Sequence, residues 1–299
     1  MRPMKALRAL CFLALGSCST GGPTPIHKPG LENAYWLTDK VLSGAQPEGD
    51  AAFEELSALG VKTLISVDGA KPDVDTARKH GLRYVHLPIG YDGVPSERAL
   101  QLAKAIEELD GPIYMHCHHG QHRGPAAAVV ACVVAGRMDT TRAVETLRTL
   151  GTGPQYVGLW DSAREARKAD PADLHRLQVD FRETAPLPPL AEAMVSVDSV
   201  FERLRLCAAC GWKKPAGHPD LDPPHEALRI REIFTEILRT EDVRSRPAEF
   251  RALMEAARAG SERLEAALRA AEPAEPAFAA LKESCLDCHR PYRNKPPGK

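Results

Sequence analysis

The chain has 299 residues, 43% of them apolar and 26% charged, which is ordinary soluble-protein usage and enough length for two domains with separate cores. Thirty-nine Lys and Arg against 40 Asp and Glu leave a formal net charge of −1, so there is no electrostatic reason to expect nucleic acid or an anionic membrane surface as a partner. No fixed-period repeat of the solenoid kind is present.

The first eighteen residues read as a processing segment and not as fold. Arg2, Lys5 and Arg8 form a basic start, Ala9 to Gly16 is a short apolar run, and Leu15-Gly16-Ser17-Cys18 resembles the lipobox at which bacterial lipoproteins are cleaved and lipidated on the Cys. The run is too short to span a bilayer. The expectation is a lipoprotein signal at 1–18 and a breaker-rich tether at 19–30. The mature protein would then be exported and held by its N-terminal lipid to a membrane, facing the periplasm or cell envelope. A cytosolic protein with a greasy N-terminus is the other reading.

From Leu31 to about Lys168 strand-like and helix-like pieces alternate. Val41-Leu42 is a short strand, Asp50 to Leu59 has helical spacing at Phe53, Leu56 and Leu59, and Val61 to Val67 is a strand. Val74 to His80 is a second helix, Arg83 to Leu87 a third strand, and Pro95 to Leu109 a helix with Leu100, Ala103 and Ile106 on one stripe. The Tyr114 strand follows, then the loop after Cys117, a long apolar helix over Ala126 to Ala135, and helices near Thr141 to Leu150 and Gln155 to Arg167. Strands separated by helices predict an α/β domain at 31–180 with a mostly parallel sheet flanked by helices, and ligands of such sheets sit at the carboxyl ends of strands.

Cys117 stands at such an end. The stretch Ile113-Tyr114-Met115-His116-Cys117-His118-His119-Gly120-Gln121-His122-Arg123-Gly124 reads as a buried strand, a glycine-containing loop and a helix start, an arrangement that favours anions through backbone N–H groups and the helix dipole. It resembles the His-Cys-x5-Arg signature of the tyrosine and dual-specificity protein phosphatases, and Leu42 to Pro47 with Gly60 to Ile65 resembles the start of the compact bacterial members. The resemblance implies a phosphatase acting through phosphocysteine, with Cys117 as nucleophile, Arg123 as a bidentate phosphate clamp and no cofactor. The phosphate would rest on His118, His119, Gly120, Gln121, His122 and Gly124. A general acid is needed on a loop beyond a neighbouring strand: Asp92 in Gly90-Tyr91-Asp92-Gly93 is the candidate and Asp68, which also ends a strand, is the rival. The chain departs from the family pattern at Gly124, where a Ser or Thr hydroxyl usually assists the second step. His118, His119 and His122 are either extra donors around phosphate, solvated loop residues or an adventitious metal-binding group. Rhodanese-type sulfurtransferases share a Cys at a loop mouth, but no second rhodanese-like half is visible. Cys132 lies about 13 Å along its helix at 1.5 Å per residue and so is not a disulfide partner for Cys117.

Asp170-Pro171 and Pro186-Leu187-Pro188-Pro189 mark a linker, placing the second domain at 181–299. It reads as four amphipathic helices, Leu190 to Leu206, His225 to Thr240, one from Pro247 and one from Pro276, and hence an all-α antiparallel four-helix bundle. The last carries Cys285-Leu286-Asp287-Cys288-His289, the Cys-x2-Cys-His attachment motif of haem c. The segment resembles cytochrome c′, which implies haem on Cys285 and Cys288, His289 as the proximal iron ligand, and Met194 either as a distal ligand or as packing. Cys207 and Cys210 lack the adjacent His and are read as a local disulfide, a weak zinc site or two thiols. The combined expectation is a lipid-anchored phosphatase of phosphorylated proteins or small phosphomonoesters with a haem domain for electron transfer, gas binding or redox regulation. Its partners would be a redox protein or small gas and, through the bundle, a second copy. The alternative is a haem protein whose phosphatase fold only binds phospho-ligands.

Overall fold

The computed structural model describes residues 21–294; Cys18 and the apolar start lie outside them. Two strands precede the first one legible in the sequence. β1 (Thr24–Lys28) and β2 (Leu31–Trp36) pair antiparallel, so residues 24–28, read as tether, belong to the sheet. In β1 only Ile26 is buried, and Pro25 is tolerable because this is an edge strand. One inward apolar residue between prolines is too thin a period-2 signal to separate from a linker.

The α/β unit continues with β3 (Val41–Ala45), α1 (Gly49–Ala58), β4 (Thr63–Ser66), α2 (Val74–Lys79), β5 (Arg83–His86), α3 (Ser96–Glu108), β6 (Ile113–Cys117), α4 (Arg123–Val134), α5 (Thr140–Thr149), α6 (Val157–Glu165) and α7 (Pro171–Arg176). The strand order is β1-β2-β3-β6-β4-β5. β3, β6, β4 and β5 run parallel, whereas β1 and β2 form an antiparallel edge, so the sheet is mixed. Alternation along β6 sends Ile113, Met115 and Cys117 into the core shared with α3, α4 and α6, and Tyr114 into the core under α1 and α2. From Gly124 to Val134 every residue of α4 is buried, as an all-apolar helix must be. β6 therefore ends at Cys117 in the middle of the sheet, between β3 and β4, with α4 packed behind it.

Residues just past the boundary expected near residue 180 pair with the α/β unit. The His86 N–H donates to the Arg182 carbonyl at 2.9 Å, the Ala185 N–H donates to His86 Nδ1 at 3.1 Å, and Phe181 packs on the α/β core. Residues 181–185 thus cover the open edge of β5, which would otherwise present unpaired backbone groups. Beyond them come α8 (Pro189–Ala209), α9 (Pro223–Arg239), a single turn α10 (Glu241–Arg244), α11 (Ala248–Arg269) and α12 (Glu275–Tyr292). Val200, Leu204, Ile230, Phe234, Phe250, Leu264 and Leu281 join them in one apolar cluster. Buried Glu226 on α9 meets Arg203 of α8 at 3.2 Å and Arg229 at 3.0 Å, so its charge is compensated inside that cluster.

Gly44 tests the packing beneath the site. The Tyr114 hydroxyl donates to the Ala45 carbonyl at 2.7 Å, and a Cβ at Gly44 would overlap that hydroxyl and lie 2.9 Å from the ring carbon bearing it. Gly44→Ala is expected to lower unfolding stability by about 2 kcal/mol or more, read from the urea midpoint. Gly217→Ala, with no atom within 4 Å, should change it by less than about 0.5 kcal/mol.

Candidate active site

The loop between β6 and α4 is pinned from outside. The Gln46 N–H donates to the His118 carbonyl at 3.1 Å, Asn33 Nδ2 to the His119 carbonyl at 2.8 Å, and Thr152 Oγ1 to the Gln121 carbonyl at 2.8 Å. In a trans peptide the following N–H points opposite to the carbonyl. The N–H groups of His119, Gly120 and His122 therefore face away from these anchors, toward the inside of the loop. Gly120 has φ +68°, and a Cβ there would overlap the Gly44–Ala45 peptide, so glycine is needed both for conformation and for the approach to β3. At Gly124 a Cβ would lie 3.0 Å from the Cys117 nitrogen and 3.4 Å from its Sγ. The missing hydroxyl accompanies a tight seat of α4 on the cysteine.

Arg123 opens α4 and points at the acid that ends β4. Its Nη2 donates to Asp68 Oδ2 at 2.6 Å, and the same oxygen accepts the His118 N–H at 2.8 Å, while Oδ1 accepts the Ala70 N–H at 2.9 Å. Burial acts to raise the Asp68 carboxyl, but the Arg123 charge and those N–H groups outweigh it and hold it below the usual carboxylate range. Burial likewise disfavours the Arg123 cation, and Asp68 foremost, together with Tyr91 and Cys117, more than offsets that. An ionised carboxylate has no proton to donate, so Asp68 is unsuited to the general-acid role. Asp92 lies partly buried on the loop after β5, its carbonyl against Gly158, and has no ion-pair partner among the described residues.

Three aromatic rings close the other side. The Arg123 guanidinium carbon stands 4.3 Å from the Tyr91 ring centre, Tyr91 and Tyr156 are 4.8 Å apart, and Tyr156 lies 4.6 Å from His122. His122 Nδ1 accepts the Gly153 N–H at 3.2 Å, and desolvation pulls its pKa to about 4. His116, before Cys117, is buried with its Nε2 2.7 Å from the Tyr84 hydroxyl, and burial lowers its pKa to about 4. The helical unit reaches the same spot: Arg293, just past α12, stands 4.5 Å from the Tyr91 ring centre. Nothing in the sequence ties Tyr156 or Arg293 to this loop, Arg293 standing out there only as a residue just after the Cys-x2-Cys-His motif, whereas Tyr91 is marked as the neighbour of Asp92.

On α12, Cys285 and Cys288 are free, half-buried thiols packed against the helical cluster, as is Met194 of α8. His289 follows them, and burial, with the Arg293 charge, lowers its pKa to about 4. Cys207 and Cys210 are also free, the first buried and the second exposed. Cys132 is a buried free thiol whose pKa desolvation pushes up to about 12.

No family model matches the chain. It is 29% identical over 202 residues to the dual specificity protein phosphatase TpbA of Pseudomonas aeruginosa strain UCBPP-PA14, covering 62% of this chain and 89% of the other. The crystal structure of P. aeruginosa TpbA superposes with a TM-score of 0.43 at 24% identity, covering 52% of this chain and 95% of that one. The core catalytic domain of the S. cerevisiae PP-IP phosphatase SIW14 gives 0.42 at 14% identity over 51% and 93%.

The buried neutral His116 sets a pH dependence. Unfolded histidine titrates near 6.5 and this one near 4, so between those values the unfolded chain binds more protons and stability rises with pH, by up to about 1.4 kcal/mol per unit. Denaturant unfolding from pH 4.5 to 7 should show this rise, and His116→Gln should lessen it by one histidine's share, leaving that of His122 and His289.

Proposed function

We propose that this chain is a phosphomonoester hydrolase of the tyrosine and dual-specificity type, with Cys117 as nucleophile, and that its helical unit carries a covalent haem c. The observation that carries the first part is the placement of the Cys117 thiol, the Arg123 guanidinium and an inward set of loop N–H groups at the carboxyl end of one central strand. The similarity to TpbA, a dual specificity protein phosphatase, supports the same class.

In this reading the Cys117 thiolate attacks phosphorus while the bond to the leaving oxygen breaks, and Asp92 gives that oxygen its proton. Water then attacks the phosphocysteine, its proton passing to the Asp92 carboxylate, and the sulfur leaves as thiolate with phosphate released. Arg123 holds two phosphoryl oxygens, and the N–H groups of His119, Gly120, Gln121, His122 and Gly124 line the cradle, while the His118 N–H is held by Asp68 at its start. Substrates are phosphorylated proteins or small phosphomonoesters. Cys117→Ser should abolish hydrolysis of an aryl phosphate, and Asp92→Asn should lower kcat by about 10²–10⁴, most for poor leaving groups. Unchanged turnover in Cys117→Ser would sink the assignment.

The haem reading rests on donor chemistry. Cys285 and Cys288 are free thiols one turn apart, and depression of the His289 pKa keeps its imidazole in the neutral form that binds metal. When bound, the haem supplies an iron centre for one-electron or gas chemistry. His289 would be its proximal ligand, and Met194, partly buried against the same apolar cluster, would be a distal ligand or packing. The lipobox at Cys18 supports an envelope location, where haem attachment takes place. Protein matured in an export-competent host should show one haem per chain by pyridine haemochrome, lost in the Cys285→Ala, Cys288→Ala double variant; absence of c-type bands in the parent chain rules the reading out.

A further inference from the structure

His118 and His119 sit next to the nucleophile, and the phosphatase reading uses only their backbone. Their main chain is fixed at three points: the Asp68 carboxylate takes the His118 N–H, and Gln46 and Asn33 donate to the two carbonyls. The two rings consequently stay together, with centres 4.4 Å apart. A third donor comes from the other unit. Asp198, exposed on α8, brings a carboxylate oxygen so close that the ligand atoms of His118, His119 and Asp198 all lie within 4.8 Å of one another. The position of α8 is set independently of this cluster. Val195 Cγ2 lies 3.4 Å from where a Gly69 Cβ would stand, and Glu192 ion-pairs with Lys71 at 3.7 Å.

We propose that His118, His119 and Asp198 form a divalent transition-metal site, of the zinc class, across the junction between the catalytic loop and the helical unit. Two imidazoles and one carboxylate suit zinc, while calcium and magnesium prefer all-oxygen sets. Ligand bonds of about 2.0–2.2 Å require the donors to draw together only by side-chain rotation, which the exposed His119 and Asp198 permit. Three protein ligands leave a fourth position open to water or a phosphoryl oxygen. A bound ion ties α8 to the residue after Cys117 and adds positive charge there, so zinc should reduce turnover by retaining phosphate at its open position and not by capping the thiolate.

The test uses the full chain, stripped with chelator and titrated with Zn²⁺ by calorimetry, with bound metal counted after gel filtration. The expected result is one equivalent in the wild-type chain that Asp198→Asn and His119→Ala each weaken tenfold or more and Cys117→Ser retains. Asp198→Asn should leave metal-free turnover unchanged and shift zinc inhibition of aryl phosphate hydrolysis tenfold or more. The proposal is overturned if the wild-type chain takes up no such equivalent, if Asp198→Asn binds zinc like wild type, or if Cys117→Ser loses the equivalent, which would put the ion on the thiolate. The binding arm stands whether or not the chain hydrolyses phosphate.

Discussion

The arrangement of the catalytic loop depends on one ion pair. Arg123 has only 11% of its side chain exposed, and a guanidinium so placed needs a fixed opposite charge. Asp68 provides it from the end of β4, the strand beside β6. The same oxygen holds the first N–H after Cys117. One carboxylate thereby sets the direction of the Arg123 guanidinium and the start of the loop. Removing it would leave a buried cation without a partner, a loss typically worth about 3–5 kcal/mol.

Around that pair, the second guanidinium at the site comes from the far end of the chain. Arg123 and Arg293 both stand against the Tyr91 ring, at 4.3 and 4.5 Å. An aromatic face attracts cations through its quadrupole, and the Arg123 charge is in addition paired with Asp68. Burial, the larger influence, pushes the Tyr91 hydroxyl up, so the ring stays a neutral donor. Arg293 follows the helix that bears Cys285, Cys288 and His289, so the motif read as a haem site and the loop read as a phosphate site are separated by a few side chains. Adjacency supplies a route for coupling; it does not by itself establish one.

Much of this was legible in the residues alone. The run from Ile113 to Gly124 carries its own geometry, because an apolar strand, a glycine and an all-apolar helix each have local signatures. The four long C-terminal helices were legible for the same reason, as their apolar residues recur at helical spacing. The one-turn α10 was not, being too short for a period. β1 escaped because a strand with one buried residue is held by its partner β2 and not by its own pattern. Residues 181–185 read as linker because their hydrogen bonds go to His86, nearly a hundred positions away.

For the site, the sequence by itself singled out Cys117, Arg123 and the loop residues between them, since these follow from spacing within eight residues. The roles of Asp68 and Asp92 were open in the sequence because both end a strand before a flexible turn. Tertiary structure decided that Asp68 meets Arg123, through the neighbouring positions of β4 and β6 in the sheet. It alone decided that Tyr156, Arg293 and Asp198 arrive at the same loop. Contacts between groups far apart in the chain have no periodicity to read; they exist only once the sheet order and the packing of α8 and α12 bring those groups together.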